Sequence, residues 1–206
     1  MNSFATTNKN IKRMNKRMPV KLDREQHKLS KKMRKCVPDS MKALELIYDY
    51  LDRFFSYSDG LVACKKGCSH CCHMRVAIVQ VEADYIHKKT GARVKRLELE
   101  SYVDESPWID ANRPCPFLKD DVCSIYEFRP MVCRTHVNFE DTNEICRPDV
   151  KYESVPLFDR DASLPGAMKA FSELASGYGG GAGDIREFFG NKPKYNSSLP
   201  GLGDNS

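Results

Sequence analysis

The chain has 206 residues, a net charge of +5 and 41% hydrophobic residues, which is typical of a water-soluble domain with its own core. No stretch approaches the roughly 18 consecutive apolar residues of a membrane-spanning helix, and the N-terminal segment lacks the apolar run of a secretory signal. We therefore expect a cytoplasmic protein, in a compartment where disulfides are rare. Its nine cysteines, an odd number, also argue against a framework built of disulfides alone.

The N-terminal segment is strongly basic. Residues 1–35 hold twelve Lys and Arg side chains and only two acids, a local charge of +10, whereas the remainder carries −5. Such a composition buries little apolar surface, so we predict that residues 1–38 form a disordered arm. The alternative is an arm that contacts nucleic acid or an acidic protein, although no aromatic rings are interleaved for stacking on single strands.

A single small domain, mostly helical with long irregular loops, is predicted over residues 39–190. Its first helix covers residues 39–57, where apolar side chains recur at helical spacing after a capping Asp39 or Ser40, and Asp59-Gly60 ends it. The tail, residues 191–206, is predicted to be disordered. The remaining elements are an extended segment over 76–79, a helix over 81–89 closed by Gly91, a charged helix over 93–105, a helical turn over 123–128, a helix over 167–175 closed by Gly177 and an apolar anchor over 185–189.

Two groups of cysteines are the candidate metal ligands. The first group is Cys64, Cys68, Cys71 and Cys72, and the second is Cys115, Cys123 and Cys133. At about 100° per residue a helix would present the first group on one face, and a tight loop through Gly67 would also make its sulfurs converge. Convergent thiolates suit a soft cation. Because one tetrahedral site takes four ligands, seven thiols indicate two metals or one multinuclear cluster.

Residues beside these cysteines also bear on the site. Cys146 is a candidate eighth ligand, and His73 or His136 are alternative ligands that a thiol-rich site does not require. We predict that Arg129 and Arg134 offset the thiolate charge and donate hydrogen bonds to sulfur. The alternative for both arginines is an ordinary surface ion pair with Asp120, Asp121 or Glu127. Cys36 lies outside both groups and is predicted to be a free thiol.

The runs CKKGCSHCC at 64–72 and CPFLKDDVCSIYEFRPMVCR at 115–134 resemble the YkgJ or CxxCxxCC cysteine-cluster family. The resemblance covers roughly residues 40–190 and reaches DIREFF at 184–189. It implies a domain that chelates zinc or iron, with an iron–sulfur cluster as one form of the centre. Part of the family resembles the flagellin lysine methylase, which implies that some members are enzymes. The basic arm, Cys36 and Cys146 depart from the family pattern.

Three classes of function are compatible with this sequence. The first is a metal-binding protein that stores, delivers or senses zinc or iron. The second is an iron–sulfur enzyme related to the protein-lysine methylase, and the third is a zinc-stapled interaction module whose basic arm contacts nucleic acid. The sequence does not decide whether the chain is an enzyme. A radical S-adenosylmethionine enzyme is disfavoured because the strands and helices of its barrel are missing, and a thioredoxin-like site because the βαβ unit is missing.

Overall fold

A computed structural model of the chain describes residues 5–98, 113–147, 150 and 158–190. The mostly helical fold predicted from the sequence is confirmed. The predicted domain limits stay predictions, and the tail 191–206 lies outside the described residues. The helices are α1 (Ala5–Arg17), α2 (Val20–Gln26), α3 (Leu29–Arg34), α4 (Ser40–Phe55), α5 (Gln80–Thr90), α6 (Met131–Thr135), α7 (Arg160–Ser163), α8 (Pro165–Tyr178) and α9 (Ile185–Phe189). The strands are β1 (Ala77–Val79), β2 (Leu118–Lys119), β3 (Val122–Cys123) and β4 (Ala182–Asp184).

Helix α4 is the centre of the core. Asp39 caps it, because its carboxylate accepts a hydrogen bond from the backbone N–H of Lys42 at 3.0 Å. The helix packs against α3, α5 and α8. The predicted helix over 39–57 is confirmed, with its last residues in a 3-10 turn over Ser56–Ser58. Its apolar stripe is at most 3% exposed at Leu44, Ile47, Tyr48, Leu51 and Phe54.

The N-terminal segment differs from the predicted disordered arm. Helices α1 to α3 cover most of residues 5–34, and α3 packs against both α4 and α8. Glu25 of α2 also accepts two hydrogen bonds from the guanidinium of Arg53 in α4, at 3.0 and 3.1 Å. The average composition hides a few apolar side chains that recur at helical spacing and join the core. These side chains are Met14, Leu22, Leu29 and Met33.

Two small antiparallel sheets position the segments that carry cysteines. Strand β1 pairs with β4, with Ala77 opposite Asp184, so the segment after the first cysteine group lies beside α9. Strands β2 and β3 form a hairpin whose two turn residues, Asp120 and Asp121, have φ values of 48° and 56°. This left-handed pair is typical of a two-residue type I′ turn. The hairpin reverses the chain between Cys115 and Cys123.

Three shorter predictions are confirmed: the extended segment at 76–79, the helix closed by Gly91, and the helical turn at Tyr126–Phe128. The helix predicted over 167–175 is longer, because it continues through Gly177 and ends at Gly179.

The charged helix predicted over 93–105 is wrong for residues 93–98, which form no helix, and residues 99–105 lie outside the described residues. The backbone of residues 95 and 97 instead hydrogen-bonds Phe188, Gln80 and Gly181. Within the described ranges, no helix has the length and apolar character needed to cross a membrane.

Candidate metal centre

The first cysteine group lies in an irregular loop between α4 and β1. Gly67 turns this loop with a φ of 96°, in the left-handed region that other residues rarely adopt. A 3-10 turn over His70–His73 follows and carries Cys71 and Cys72. Of the two conformations considered from the sequence, the loop is therefore the one adopted by the first four cysteines.

The second group is placed by a hairpin and a short helix. The backbone N–H of Cys115 donates to the carbonyl of Cys72 at 2.7 Å, which links the two groups directly. Cys123 lies in β3, and Cys133 lies in α6. The buried Glu82 carboxylate accepts hydrogen bonds from the first backbone N–H of α6 and from the Tyr48 hydroxyl, each at 2.7 Å. Helices α4 and α5 thereby fix the position of α6.

All the thiols predicted as ligands line one cavity of about 690 Å³. The cavity draws them from the loop after α4, the β2–β3 hairpin and α6, which are up to 69 residues apart in the chain. Its rim includes Asp52, Tyr126 and Arg129. The thiols are Cys64, Cys68, Cys71, Cys72, Cys115, Cys123 and Cys133.

Cys72 connects the two groups through sulfur. Its thiol interacts with the thiols of Cys123 and Cys71, and these interactions raise the pKa of Cys72. The interaction with Cys72 lowers the pKa of Cys71 and, together with the Arg129 guanidinium, lowers the pKa of Cys123 to about 6. Burial, by contrast, raises the pKa of Cys115 to about 11. The site therefore combines anionic and protonated thiols at neutral pH.

Asn138 brings Cys146 to the first group. This fully buried residue donates its backbone N–H to Cys64 Sγ at 3.3 Å and its side-chain Nδ2 to Cys146 Sγ at 3.4 Å. Asn143 donates to Cys68 Sγ at 3.5 Å. Burial, together with the neighbouring thiols, raises the pKa of Cys146 to about 11. Sequence reasoning missed both asparagines, because no spacing rule marks an amide that donates to sulfur.

The two groups of thiols act on one another electrostatically across the cavity. Cys146 is influenced by Cys64, Cys68 and Cys71, which places it beside the first group. Cys71 is influenced by Cys72 and Cys123 and itself influences Cys133, so it lies between the two groups. Two names are used below: the first set is Cys64, Cys68, Cys71 and Cys146, and the second set is Cys72, Cys115, Cys123 and Cys133.

The donor chemistry of both sets fits zinc or iron, for which four thiolates form a common ligand set. Within the part of the chain that the structure describes, no three Cys, His, Asp or Glu side chains stand in ready coordination geometry. The thiols of Cys71, Cys72 and Cys123 interact with one another instead. To bind a cation, these thiols must therefore rotate, so that contacts between sulfur atoms are replaced by bonds to the cation.

The two predicted arginines have different surroundings. Arg129 lines the cavity, lies 4.0 Å from the Tyr126 ring centroid and acts electrostatically on the thiols of Cys71 and Cys123. Arg134 is 3% exposed and binds both carboxylate oxygens of Asp52, at 2.5 and 2.6 Å.

The remaining hydrogen bonds of Arg134 go to the backbone carbonyls of residues 127 and 129. Among the described residues, the hydrogen bonds of Arg134 therefore go to oxygen atoms and not to sulfur, which differs from the prediction that it donates to the thiolates. The planar guanidinium is used here to connect α4, α6 and the segment between them. Nor does it pair with the acids considered as alternatives, since its carboxylate partner is Asp52.

Arg186 is a further residue of the site that the sequence analysis did not predict. It is 6% exposed and binds both carboxylate oxygens of Asp184 at 2.9 Å. It also donates to the backbone carbonyls of Cys72, Met74 and Arg113. The first two carbonyls lie at the end of the first cysteine group, and the third precedes Cys115 of the second group, so one side chain holds the two segments together. The sequence signal that could have identified Arg186 was its position in the DIREFF run at 184–189, which is part of the resemblance to the family.

The remaining candidates are two histidines and Cys36, which lies away from the thiol-lined cavity. His136 lines the cavity, and burial lowers its pKa, which favours the neutral imidazole. The Nδ1 atom of His73 is buried and has no hydrogen-bond partner among the described residues. Cys36 is a free thiol, directed at the Lys32 carbonyl at 3.7 Å on a different part of the core.

Comparison with known proteins agrees with this chemistry. Residues 63–148 match the model of the CxxCxxCC family, which carries the description "Putative zinc- or iron-chelating domain". No curated protein and no solved structure matches the chain. The matched span contains all eight clustered cysteines and excludes α1 to α4 and α7 to α9. The family description supports metal binding through cysteines. The resemblance seen in the sequence is thus confirmed over residues 63–148, whereas the match does not extend to residues 40–62 or to the DIREFF run.

Proposed function

We propose that the protein binds zinc or iron through two sets of four cysteine thiolates. The observation that supports this proposal best is the convergence of eight thiols from separate segments around one cavity and the buried Asn138. Core packing does not explain such a density of sulfur, because a thiol that only fills space needs no neighbouring thiol. Because Cys71 and Cys72 belong to different sets, these two adjacent cysteines bind different metal ions in this proposal.

The surrounding groups suit thiolates that carry negative charge. Four thiolates around a divalent cation leave a net charge of −2, which N–H donors and cations stabilise. Asn138 and Asn143 supply N–H donors to the first set. Arg129 supplies positive charge to both sets. Metal binding would require the thiols to be deprotonated, and Cys72 has a raised pKa, so loading the site would release protons.

The same ligand sets suit zinc and iron–sulfur clusters, and each has its own consequence. Zinc held by four thiolates stabilises a fold and leaves no open coordination position. An iron–sulfur cluster brings redox chemistry, which the enzyme alternative requires. We assign the protein to a reducing compartment such as the cytoplasm, because all nine cysteines are free thiols and ligation needs them reduced.

Anaerobic purification followed by elemental analysis and a visible spectrum tests the proposal. We expect about two zinc ions, or iron with stoichiometric sulfide and visible absorption, per chain. Cys68→Ser and Cys115→Ser each remove a ligand from one set, so each should lose the metal of that set. Cys36→Ser is the matched control and should retain all the metal. A metal-free wild-type protein, or a Cys36→Ser variant that loses as much metal as the others, would contradict the proposal.

A further inference from the structure

The outward face of α1 carries four cations within two helical turns. Lys9, Lys12, Arg13 and Lys16 are exposed and recur every three or four residues, so they lie on one side of the helix over about 10 Å. They line one shallow depression. We infer that these four residues, called the basic face below, bind the phosphate backbone of duplex DNA. This inference does not rest on the proposed metal binding.

The opposite side of α1 fixes the helix to the domain. Thr7, Asn10 and Met14 are buried, and Met14 belongs to the core. The backbone N–H of Thr7 donates to the Glu140 carboxylate at 3.1 Å, and the Asn10 amide donates to the Phe139 carbonyl at 2.9 Å. The basic face is therefore presented by an anchored helix, so binding orders the cationic side chains but does not have to order the backbone.

The basic face has no acidic partner among the described residues. Of the twelve cations in residues 1–35, all of them exposed, Lys32 and Arg34 have recorded carboxylate partners. Arg13 hydrogen-bonds the neutral Asn10 side chain. The first acid of the chain is Asp23, beyond the end of α1. A helix face that is only solvated typically alternates the two signs of charge, whereas a single-sign face attracts a polyanion.

The chemistry of the helix favours duplex DNA among polyanions. Residues 5–17 contain no aromatic ring on which unpaired bases could stack, which disfavours single strands. The major groove of B-form DNA, about 12 Å wide, admits a helix of about 10–12 Å diameter, whereas that of A-form RNA is too narrow. Asn8 and Asn15 are exposed beside the cations and add amide hydrogen-bonding groups.

Fluorescence anisotropy with a labelled 20-base-pair DNA duplex tests the inference on the full chain as it is purified. Four phosphate contacts predict a slope near −3.6 in a plot of log affinity against log salt. Between 50 and 200 mM salt the affinity should therefore fall roughly 150-fold. A slope near zero, or no binding at 50 mM salt, would overturn the inference.

A pair of charge-matched variants locates the surface. Replacing the three lysines of the basic face by glutamine, a good helix former, should reduce the slope to about −1. The control variant carries Lys42→Gln, Lys88→Gln and Lys169→Gln, which remove the same charge from exposed lysines of α4, α5 and α8. The control should keep the wild-type slope. Circular dichroism and thermal unfolding establish that both variants are folded, and equal losses of affinity in the two would overturn the assignment to α1.

Competition identifies the partner. An unlabelled DNA duplex should displace the probe at lower concentration than a single strand of the same sequence, an RNA duplex or polyglutamate of equal charge. If polyglutamate competes as well as duplex DNA, the basic face recognises acidic protein and the DNA assignment fails. If single strands or duplex RNA compete equally, the groove argument fails.

Discussion

Replacing Arg186 by methionine should destabilise the protein strongly and disturb both thiol sets. The guanidinium is buried, binds the Asp184 carboxylate through two nitrogen–oxygen contacts of 2.9 Å and donates to carbonyls on both cysteine-bearing segments. Methionine fills a similar volume but offers no donor. The substitution leaves the Asp184 carboxylate buried and partly unpaired, beside carbonyls that lose their partner.

The expected cost is large relative to the total stability. Removing one partner of a buried ion pair costs about 3–5 kcal/mol, because the remaining charge stays buried without compensation. The free energy of unfolding of an ordinary domain is about 5–15 kcal/mol, so the Arg186→Met variant should be only marginally stable. Arg186→Lys keeps the charge but not the planar fork of donors, and should fall between wild type and Arg186→Met.

Denaturant unfolding of the metal-loaded and the chelated protein measures this cost. Arg53→Met is the control, because Arg53 also pairs with carboxylates but its side chain is 43% exposed, so its loss should cost about 1 kcal/mol or less. Elemental analysis of Arg186→Lys, which should stay folded, reports on the thiols separately. The reasoning is refuted if Arg186→Met costs no more than Arg53→Met, or if Arg186→Lys binds metal as tightly as wild type after full refolding.

Three further predictions concern single groups. Asn138→Ala keeps the backbone donor to Cys64 but removes the side-chain donor to Cys146, so it should weaken metal binding by about 10-fold in a competition with a chelator, whereas unchanged affinity would contradict its role. Glu25 has a pKa of about 2, lowered mainly by Arg53, so its ion pair stabilises the protein above pH 4.5 and is lost as pH falls towards 2. Because the pair is partly solvated, Glu25→Gln should remove only about 1 kcal/mol of acid-dependent stability, and an unchanged pH profile would show that α2 does not pack on α4. In the chelated protein Cys123, with a pKa of about 6, should react with iodoacetamide at pH 7 about fourfold faster than an ordinary thiol, and Cys72→Ala should abolish this excess, as followed by peptide mass spectrometry.

The parts of the fold that periodicity specifies were predictable. Helix α4 follows from an apolar stripe with a capping Asp39, and α5 ends where Gly91 adopts a φ of 72°. Both are decided by neighbours a few residues apart, which a sequence pattern records. The charged stretch at 93–98 failed for the opposite reason. Its backbone bonds to distant segments, and those partners outweigh a weak helical pattern.

The thiols that line the cavity were predictable from the sequence, whereas the residues that hold them in place were not. Thiols identify themselves by residue type and density, so the seven cysteines could be chosen without a structure. Asn138 and Arg186 act through long-range contacts, to sulfur in one case and to backbone carbonyls in the other. Nothing in their residue type distinguishes them from surface polar residues. The same limitation applies to α1, whose few core side chains are outnumbered by cations.

Residues 138–140 connect the two surfaces that this protein presents. Asn138 donates its backbone N–H to Cys64 and its side-chain Nδ2 to Cys146, and its Oδ1 accepts the backbone N–H of Glu140 at 2.8 Å. The Glu140 carboxylate in turn accepts a hydrogen bond from the backbone N–H of Thr7 in α1. The carbonyl of Phe139, the residue between Asn138 and Glu140, accepts a hydrogen bond from the Asn10 side chain. The thiols and the basic face are thus separated by three residues of one chain segment. The same three residues therefore contact Cys64 and Cys146, two of the proposed ligands, and also anchor α1.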